Sequence, residues 1–308
     1  LAVIRDVEEG GATYGTSPPP GYAYGYGQAR VDRRTAARAC NRSVQHAAGA
    51  ARARTDKDQA AVKAPVRIEL VPHEHPRAQV SEAYRALRTA LLLSTAHRLQ
   101  VVAVTSAAMG EGKTATASNL AIVLAQLGRP VLIVDGDLRK PSLHRVFRAS
   151  NQVGLVSHLT GTAKAGEIVY ATGIPNLWIT PAGPLAPAPS ELLSSDGMHD
   201  WLRAVRTRFE YVVIDTPPML AVTDALVVGV IVDGVVLALH SGKVTRDEAR
   251  LCRDRLRQAE VRVLGAVLNR SRRKHARCAE LYHSYETYVE SQVHAEQATA
   301  VPRTGSAA

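Results

Sequence analysis

Three apolar runs in this chain end on residues able to handle phosphate and a divalent metal. The first, Val101 to Thr105, runs into Ala107-Ala108-Met109-Gly110-Glu111-Gly112-Lys113-Thr114, and an alanine-rich stretch with helical spacing follows. Strand, glycine loop and helix in that order form a phosphate cradle, because consecutive backbone N–H groups and the positive helix end face the anion. Gly110, Glu111, Gly112 and Ala115 belong to that cradle. Lys113 reaches the β- and γ-phosphates, and the Thr114 hydroxyl takes a Mg²⁺ position. Ala107 replaces the usual first glycine, so the match is to the looser form of the motif. The second run, Val131 to Asp135, continues through Gly136 to Asp137, and the third, Tyr211 to Asp215, is followed by Thr-Pro-Pro. Mg²⁺ prefers oxygen ligands and retains waters, so Asp137 and Asp215 suit its shell. Asp135, at the strand's last position, is placed to receive or orient an attacking hydroxyl. One aspartate at a strand end says little. Three such ends, the first a glycine loop, support one another.

These ends need a scaffold that brings them together. Strand-like runs recur at 101–105, 131–135, 177–180, 211–215, 234–239 and 263–268, with helical segments at 113–127, 190–207 and 245–259. Continuous apolar strands alternating with amphipathic helices predict an α/β fold, a mostly parallel central sheet with helices on both faces. Ligands of such sheets bind at the carboxyl ends of strands, where all three motifs fall. Ahead of the first strand, Ser81 reads as an N-cap and Glu82 as first-turn acid of a helix carrying Tyr84, Leu87, Leu91 and Leu92. The organisation read from composition is a low-complexity, disordered arm at 1–66, a nucleotide-binding domain at 67–275, and a flexible tail at 276–308 holding Tyr282, Tyr285 and Tyr288. Leu1-Ala2-Val3-Ile4-Arg5 resembles Gly265-Ala266-Val267-Leu268-Asn269 near the other end of the chain.

At 308 residues and net charge +10 the chain can bury a full core and favours anionic partners. Arginines concentrate at 30–54 and 246–277 without interleaved aromatics, so no nucleic-acid partner is expected. Cys40, Cys252 and Cys278 lack metal or redox spacing, and a reducing compartment fits them. The longest apolar run, Met219 to Val232, is interrupted by Thr223 and Asp224 and falls short of a bilayer span. The expectation is a cytoplasmic chain.

The segments VVAVTSAAMGEGKTATASNLA, VLIVDGDLRKPSLHRVF, PAPSELLSS, YVVIDTPPML and VLGAVLNR resemble those of the bacterial tyrosine kinases of capsule and exopolysaccharide synthesis. The likeness runs in order from about Glu82 to Arg270. In that family the three motifs are termed Walker A, Walker A′ and Walker B. The resemblance implies a P-loop fold, ATP and Mg²⁺ as cofactors, and catalytic Lys113, Asp135, Asp137 and Asp215. Thr114, Asp137 and Asp215 would hold the metal, and Asn269 would contact the adenine. Glu82, Arg85 and Arg88 fit the E-x-x-R-x-x-R helix through which the family assembles as rings. Tyr282, Tyr285 and Tyr288 are the implied phosphoacceptors, modified in trans by a neighbouring subunit. A transmembrane co-polymerase adaptor, or an N-terminal membrane segment missing from the chain, is implied as activator at the inner face of the cell membrane, with a cognate tyrosine phosphatase as antagonist. Met109 and Gly136 depart from the family's usual proline and alanine.

The competing class is a switch ATPase of the partitioning and septum-positioning type, which shares the loop and both downstream aspartates. Its members carry a signature lysine early in the loop, where this chain has Ala108. That substitution, the tyrosine tail and the E-x-x-R-x-x-R helix favour the kinase. An idle co-polymerase regulator is disfavoured by the intact Lys113, Asp135, Asp137 and Asp215.

Overall fold

The structure is a computed structural model that describes residues 2–4, 67–94 and 98–271. Tyr282, Tyr285 and Tyr288, the tail at 276–308 and the arm at 1–66 other than residues 2–4 lie outside the described residues.

The strands are β1 (Ala2–Ile4), β2 (Val101–Ser106), β3 (Val131–Asp135), β4 (Tyr170–Ala171), β5 (Leu177–Thr180), β6 (Tyr211–Asp215), β7 (Gly234–His240) and β8 (Val263–Asn269). They join in one sheet of order β1-β8-β7-β2-β6-β3-β5-β4. All internal pairings are parallel, while the edges β1 and β4 run antiparallel to β8 and β5. The strand that opens the phosphate loop thus lies at the centre, beside β6. In register, Val104 pairs with Asp215 and Asp135 with Asp215, so the three motif strands end side by side.

The helices are α1 (Val71–Glu74), α2 (Gln79–Leu93), α3 (Lys113–Ala125), α4 (Leu143–Val146), α5 (Leu155–Leu159), α6 (Pro189–Leu193), α7 (Asp196–Arg206), α8 (Asp224–Ile231) and α9 (Arg246–Gln258). Alternation along the strands sorts them into two cores. Val101, Ala103, Leu132, Val134, Val212 and Ile214 face α7, α8 and α9 through Trp201, Val228 and Leu256. Val102, Val104, Val131, Ile133 and Val213 face α2 and α3 through Leu87, Leu91 and Leu120. A strand covered on both sides has no reason to alternate in polarity, hence the continuous apolar runs.

Most elements match the pattern of the sequence, with exceptions: Ala2–Ile4, read as part of a disordered arm, form the edge strand β1 because they pair with Ala266–Leu268 of β8. Helix α2 begins at Gln79, before Ser81, whose hydroxyl donates to the carbonyl of His75 instead of capping. The segment at 190–207 is two helices, because Ser195 leaves the first and caps the second by accepting from the Met198 N–H. Part of the apolar run 219–232 forms α8, whose first residue, Asp224, is buried. No helix among the described residues is long and apolar enough to cross a membrane.

Candidate active site

The loop between β2 and α3 turns through two residues of left-handed backbone, Gly110 (φ 80°) and Gly112 (φ 89°). Such angles strain any residue with a Cβ, and at Gly112 a Cβ would also stand 2.7 Å from Asn269 Nδ2. The loop is braced from within and from beyond. Buried Glu111 accepts from the Ala108 N–H through Oε2 (3.1 Å), and Ser106 donates to the Ala108 carbonyl (2.8 Å). Asn269, the last residue of β8, donates to the Glu111 carbonyl (2.9 Å) and to Thr116 Oγ1 (3.1 Å). Lys243, in the connection after β7, donates to the Met109 carbonyl (2.6 Å).

The catalytic set predicted from the sequence is brought together at this edge. Lys113 Nζ lies 3.1 Å from Asp137 Oδ2, and Asp137 Oδ1 accepts from the Lys140 N–H (3.0 Å). The Thr114 hydroxyl donates to Asp215 Oδ2 (2.6 Å). Asp135 Oδ2 accepts from the N–H groups of Ser142 and Leu143, each at 2.9 Å. The second oxygens of both Asp135 and Asp215 are buried without a partner. The Gly136 N–H donates to the Asp215 carbonyl (2.8 Å), locking the second motif to the third. A Cβ at Gly136 would meet Ile214 Cγ2 at 2.8 Å and that carbonyl at 2.9 Å, so this chain's departure from alanine fits its own packing.

Electrostatics at the edge follow from burial. Desolvation first, and the Asp215 charge second, push the Asp135 carboxyl up to about 7, against the opposing pull of two N–H groups. Desolvation likewise raises Asp215 to about 6, although Lys113 and the Thr114 hydroxyl oppose it. Burial alone would lower the Lys113 ammonium, but Asp215, Asp137 and Asp135 together hold it above its ordinary value. Even with Lys113 close by, Asp135 and Asp215 each keep an oxygen without a partner and stay raised. A divalent cation beside a threonine hydroxyl would supply further positive charge.

Beside this cluster opens a cavity of about 280 Å³. One wall is apolar, formed by Met109, Pro217, Pro218 and Val222, and Lys113 and Asp137 lie within it. Residues 99–245 match the family model described as an AAA domain. The chain is 40% identical over 195 residues to the tyrosine-protein kinase YwqD of Bacillus subtilis, covering 63% of this chain and 82% of that one. The chain belongs to the bacterial tyrosine-protein kinases. Solved structures agree with it. The chimerical protein CapA2B2 superposes with TM-score 0.65 at 34% identity, covering 67% of this chain and 91% of that one. The kinase domain of the Escherichia coli tyrosine kinase ETK gives TM-score 0.63 at 36% identity, covering 66% and 81%. The competing class stands further off: the septum site-determining protein MinD of Pyrococcus horikoshii gives TM-score 0.50 at 25% identity, covering 57% and 72%. The fold of the kinase is that of a P-loop nucleotide-binding domain.

Other residues at the site were not singled out by sequence reasoning. Arg139 pairs with buried Asp224 through two hydrogen bonds (2.8 and 3.0 Å), and Ser190 donates to the same carboxylate (2.6 Å). Lys243 and the Ser142 and Leu143 amides were also missed. Their only sequence signal was proximity to strand ends. Asn269, implied by the resemblance as an adenine contact, ends β8 beside the loop, where its side-chain amide is engaged by Glu111 and Thr116. On α2, Glu82 pairs with Arg85, Arg85 donates to the Pro76 carbonyl (2.7 Å), and Arg88 donates to the Val123 carbonyl of α3 (2.7 Å).

Proposed function

We propose that the kinase is an ATP- and Mg²⁺-dependent autokinase that phosphorylates Tyr282, Tyr285 and Tyr288 of a neighbouring copy in a ring, and so regulates capsule or exopolysaccharide polymerisation and export. The observation that carries this reading is the convergence of Lys113, Thr114, Asp135, Asp137 and Asp215 at one sheet edge, with two carboxylate oxygens left unpartnered.

ATP is the co-substrate. The loop N–H groups and Lys113 bind its phosphates, with Ala115 on the first helical turn and Asn269 on the nucleotide side. Thr114, Asp137 and Asp215 are the chain's Mg²⁺-holding residues. A bound Mg²⁺ supplies neutralisation of phosphate charge. In the transfer, the bond from the γ-phosphorus to the bridging oxygen breaks and ADP leaves. A bond forms from the tyrosine oxygen to that phosphorus, and the phenol proton passes to Asp135. Asp135, at the end of β3 with one carboxylate oxygen unpartnered, is the acceptor of that proton, and Lys113 stabilises the charge of the group in transit. Each phosphate adds close to two negative charges to a tail, and repulsion among modified tails opens the ring. A membrane co-polymerase partner activates the kinase at the inner membrane face, and a tyrosine phosphatase resets it.

The test is incubation of the full chain with labelled ATP and Mg²⁺, followed by phosphotyrosine mapping, with the membrane partner added in a parallel arm. Label on the three tail tyrosines, absent from Lys113→Met and from the triple Tyr→Phe variant, is the expected result. ATP hydrolysis without phosphotyrosine in both arms would replace the autokinase with a switch ATPase.

A further inference from the structure

The rim of the cavity beside Asp137 is cationic. Arg139, Lys140 and Arg145 all line it and are exposed, and Pro217, Pro218 and Val222 line the same cavity. Arg139 is fixed there: its guanidinium is gripped by fully buried Asp224, which Ser190 also contacts, so its orientation is set by α6 and α8. Lys140 makes no ion pair among the described residues, and the Arg145 guanidinium donates only to the Pro141 carbonyl at 3.4 Å. Three cations, one held and two available, in one cavity with the apolar Pro217, Pro218 and Val222 suit an aromatic ring flanked by carboxylates.

The chain contains two tyrosine-rich segments that differ in this respect. From Gly10 to Ala29, around Tyr14, Tyr22, Tyr24 and Tyr26, there is no charged residue. From Glu280 to Glu290 the sequence ELYHSYETYVE brackets Tyr282, Tyr285 and Tyr288 with Glu280, Glu286 and Glu290. We infer that the Arg139–Lys140–Arg145 rim is a specificity surface that selects acidic-flanked tyrosines, and that its occupant is segment 280–290 of a second copy of this chain. The inference rests on the autokinase reading for the occupant's fate, but the recognition itself is a binding event. Lys140 and Arg145 act here as specificity residues and take no part in the transfer.

Binding separates the two claims. Fluorescent peptides of residues 278–292, the same peptide with Glu280→Gln, Glu286→Gln and Glu290→Gln, and residues 12–28 are titrated with the full chain in ADP and Mg²⁺, and anisotropy is read. Exposed ion pairs are individually weak, so the native peptide is expected to bind about tenfold more tightly than the glutamine peptide or the 12–28 peptide. That gap should shrink toward nothing in Lys140→Ala/Arg145→Ala, and at about 0.5 M salt, where screening is short-ranged. A Lys140→Glu/Arg145→Glu chain should instead prefer a peptide whose three glutamates are lysines, an inversion that simple loss of structure cannot give. Equal affinity for native and glutamine peptides overturns the inference and leaves the autokinase standing. A preference that survives Lys140→Ala/Arg145→Ala also overturns it, because the acids are then read elsewhere. Failure of phosphotyrosine mapping, with peptide selectivity intact, would overturn the autokinase and leave the recognition surface.

Discussion

The two ends of the central sheet treat their aspartates in opposite ways, half-buried Asp233 at one and fully buried Asp135 and Asp215 at the other. At the amino end, Asp233 precedes β7 and accepts from the Gln100 and Val101 N–H groups (2.8 and 2.7 Å) and from Arg206 (2.8 Å). Gln100 in turn donates to the Arg206 and Phe209 carbonyls (2.6 and 2.8 Å). Burial alone would raise the Asp233 carboxyl, yet Arg206 and the two N–H groups hold it below its ordinary value. At the carboxyl end, Asp135 and Asp215 keep an unpartnered oxygen each and are raised to about 7 and about 6. One end is closed by the chain's own groups. The other end is left charged, buried and incomplete, which costs stability until a ligand supplies the missing charge.

The largest expected effect comes from breaking the open end. Lys113→Met removes the ammonium that donates to Asp137 and that the proposed mechanism places on the phosphate, so phosphotransfer should fall by about 10²–10³-fold or more. Stopped assays with labelled ATP read it directly, and a variant within tenfold of the parent would remove Lys113 from the mechanism.

The next effects are of opposite sign at the two ends. Asp135 and Asp215 are raised in the folded chain, so the folded state holds protons that the unfolded chain has released between about pH 4 and pH 7. Stability of the nucleotide-free kinase should therefore decline as pH rises through that window. Asp135→Asn should flatten the decline and stabilise the fold by about 2 kcal/mol near pH 8. The Asp233 carboxyl is lowered, so its contribution is present at neutral pH and fades only as pH falls below about 4. Asp233→Ala should cost about 2–3 kcal/mol at pH 7, since two amides and Arg206 lose their acceptor. Thermal melts of both variants at about pH 5 and pH 8 decide the matter. Destabilisation by both at the higher pH would erase the contrast between the ends.

The sequence showed the open end better than the closed one for a physical reason. A phosphate loop needs glycines at fixed spacing, and carboxylates must terminate buried strands, so local pattern carries Gly110, Gly112, Asp135 and Asp215. Strands β3, β5 and β6 were legible to the residue because both of their faces are buried. The Asp233 clasp joins residues 27 and more than 130 positions apart, and the Arg139–Asp224 pair spans 85. Such pairings depend on strand order, which no local pattern encodes. The two-residue β4 pairs only at the sheet edge and offers too little sequence to be read. The Ser195 cap that divides α6 from α7 was hidden inside a single amphipathic stretch.

The smallest stability effects test whether α2 belongs to the closed or to the open kind of surface. Sequence spacing treats Glu82, Arg85 and Arg88 as one set, but the structure divides them. Arg88 reaches across to the Val123 carbonyl of α3, and burial lowers its pKa, as suits an internal tie. Arg88→Ala should cost about 1 kcal/mol whatever the state of assembly. Glu82 and Arg85 form a partly exposed pair one helical turn apart, of the kind worth less than about 0.5 kcal/mol. Glu82→Ala should leave the melting temperature almost unmoved, while sedimentation velocity shows weakened self-association. A Glu82→Ala chain that assembles like its parent would confine Glu82 to a local helix pair and move the ring contact elsewhere. If Arg88→Ala weakened assembly without lowering stability, its bond to Val123 would be a resting contact, exchanged for a neighbour when the ring closes.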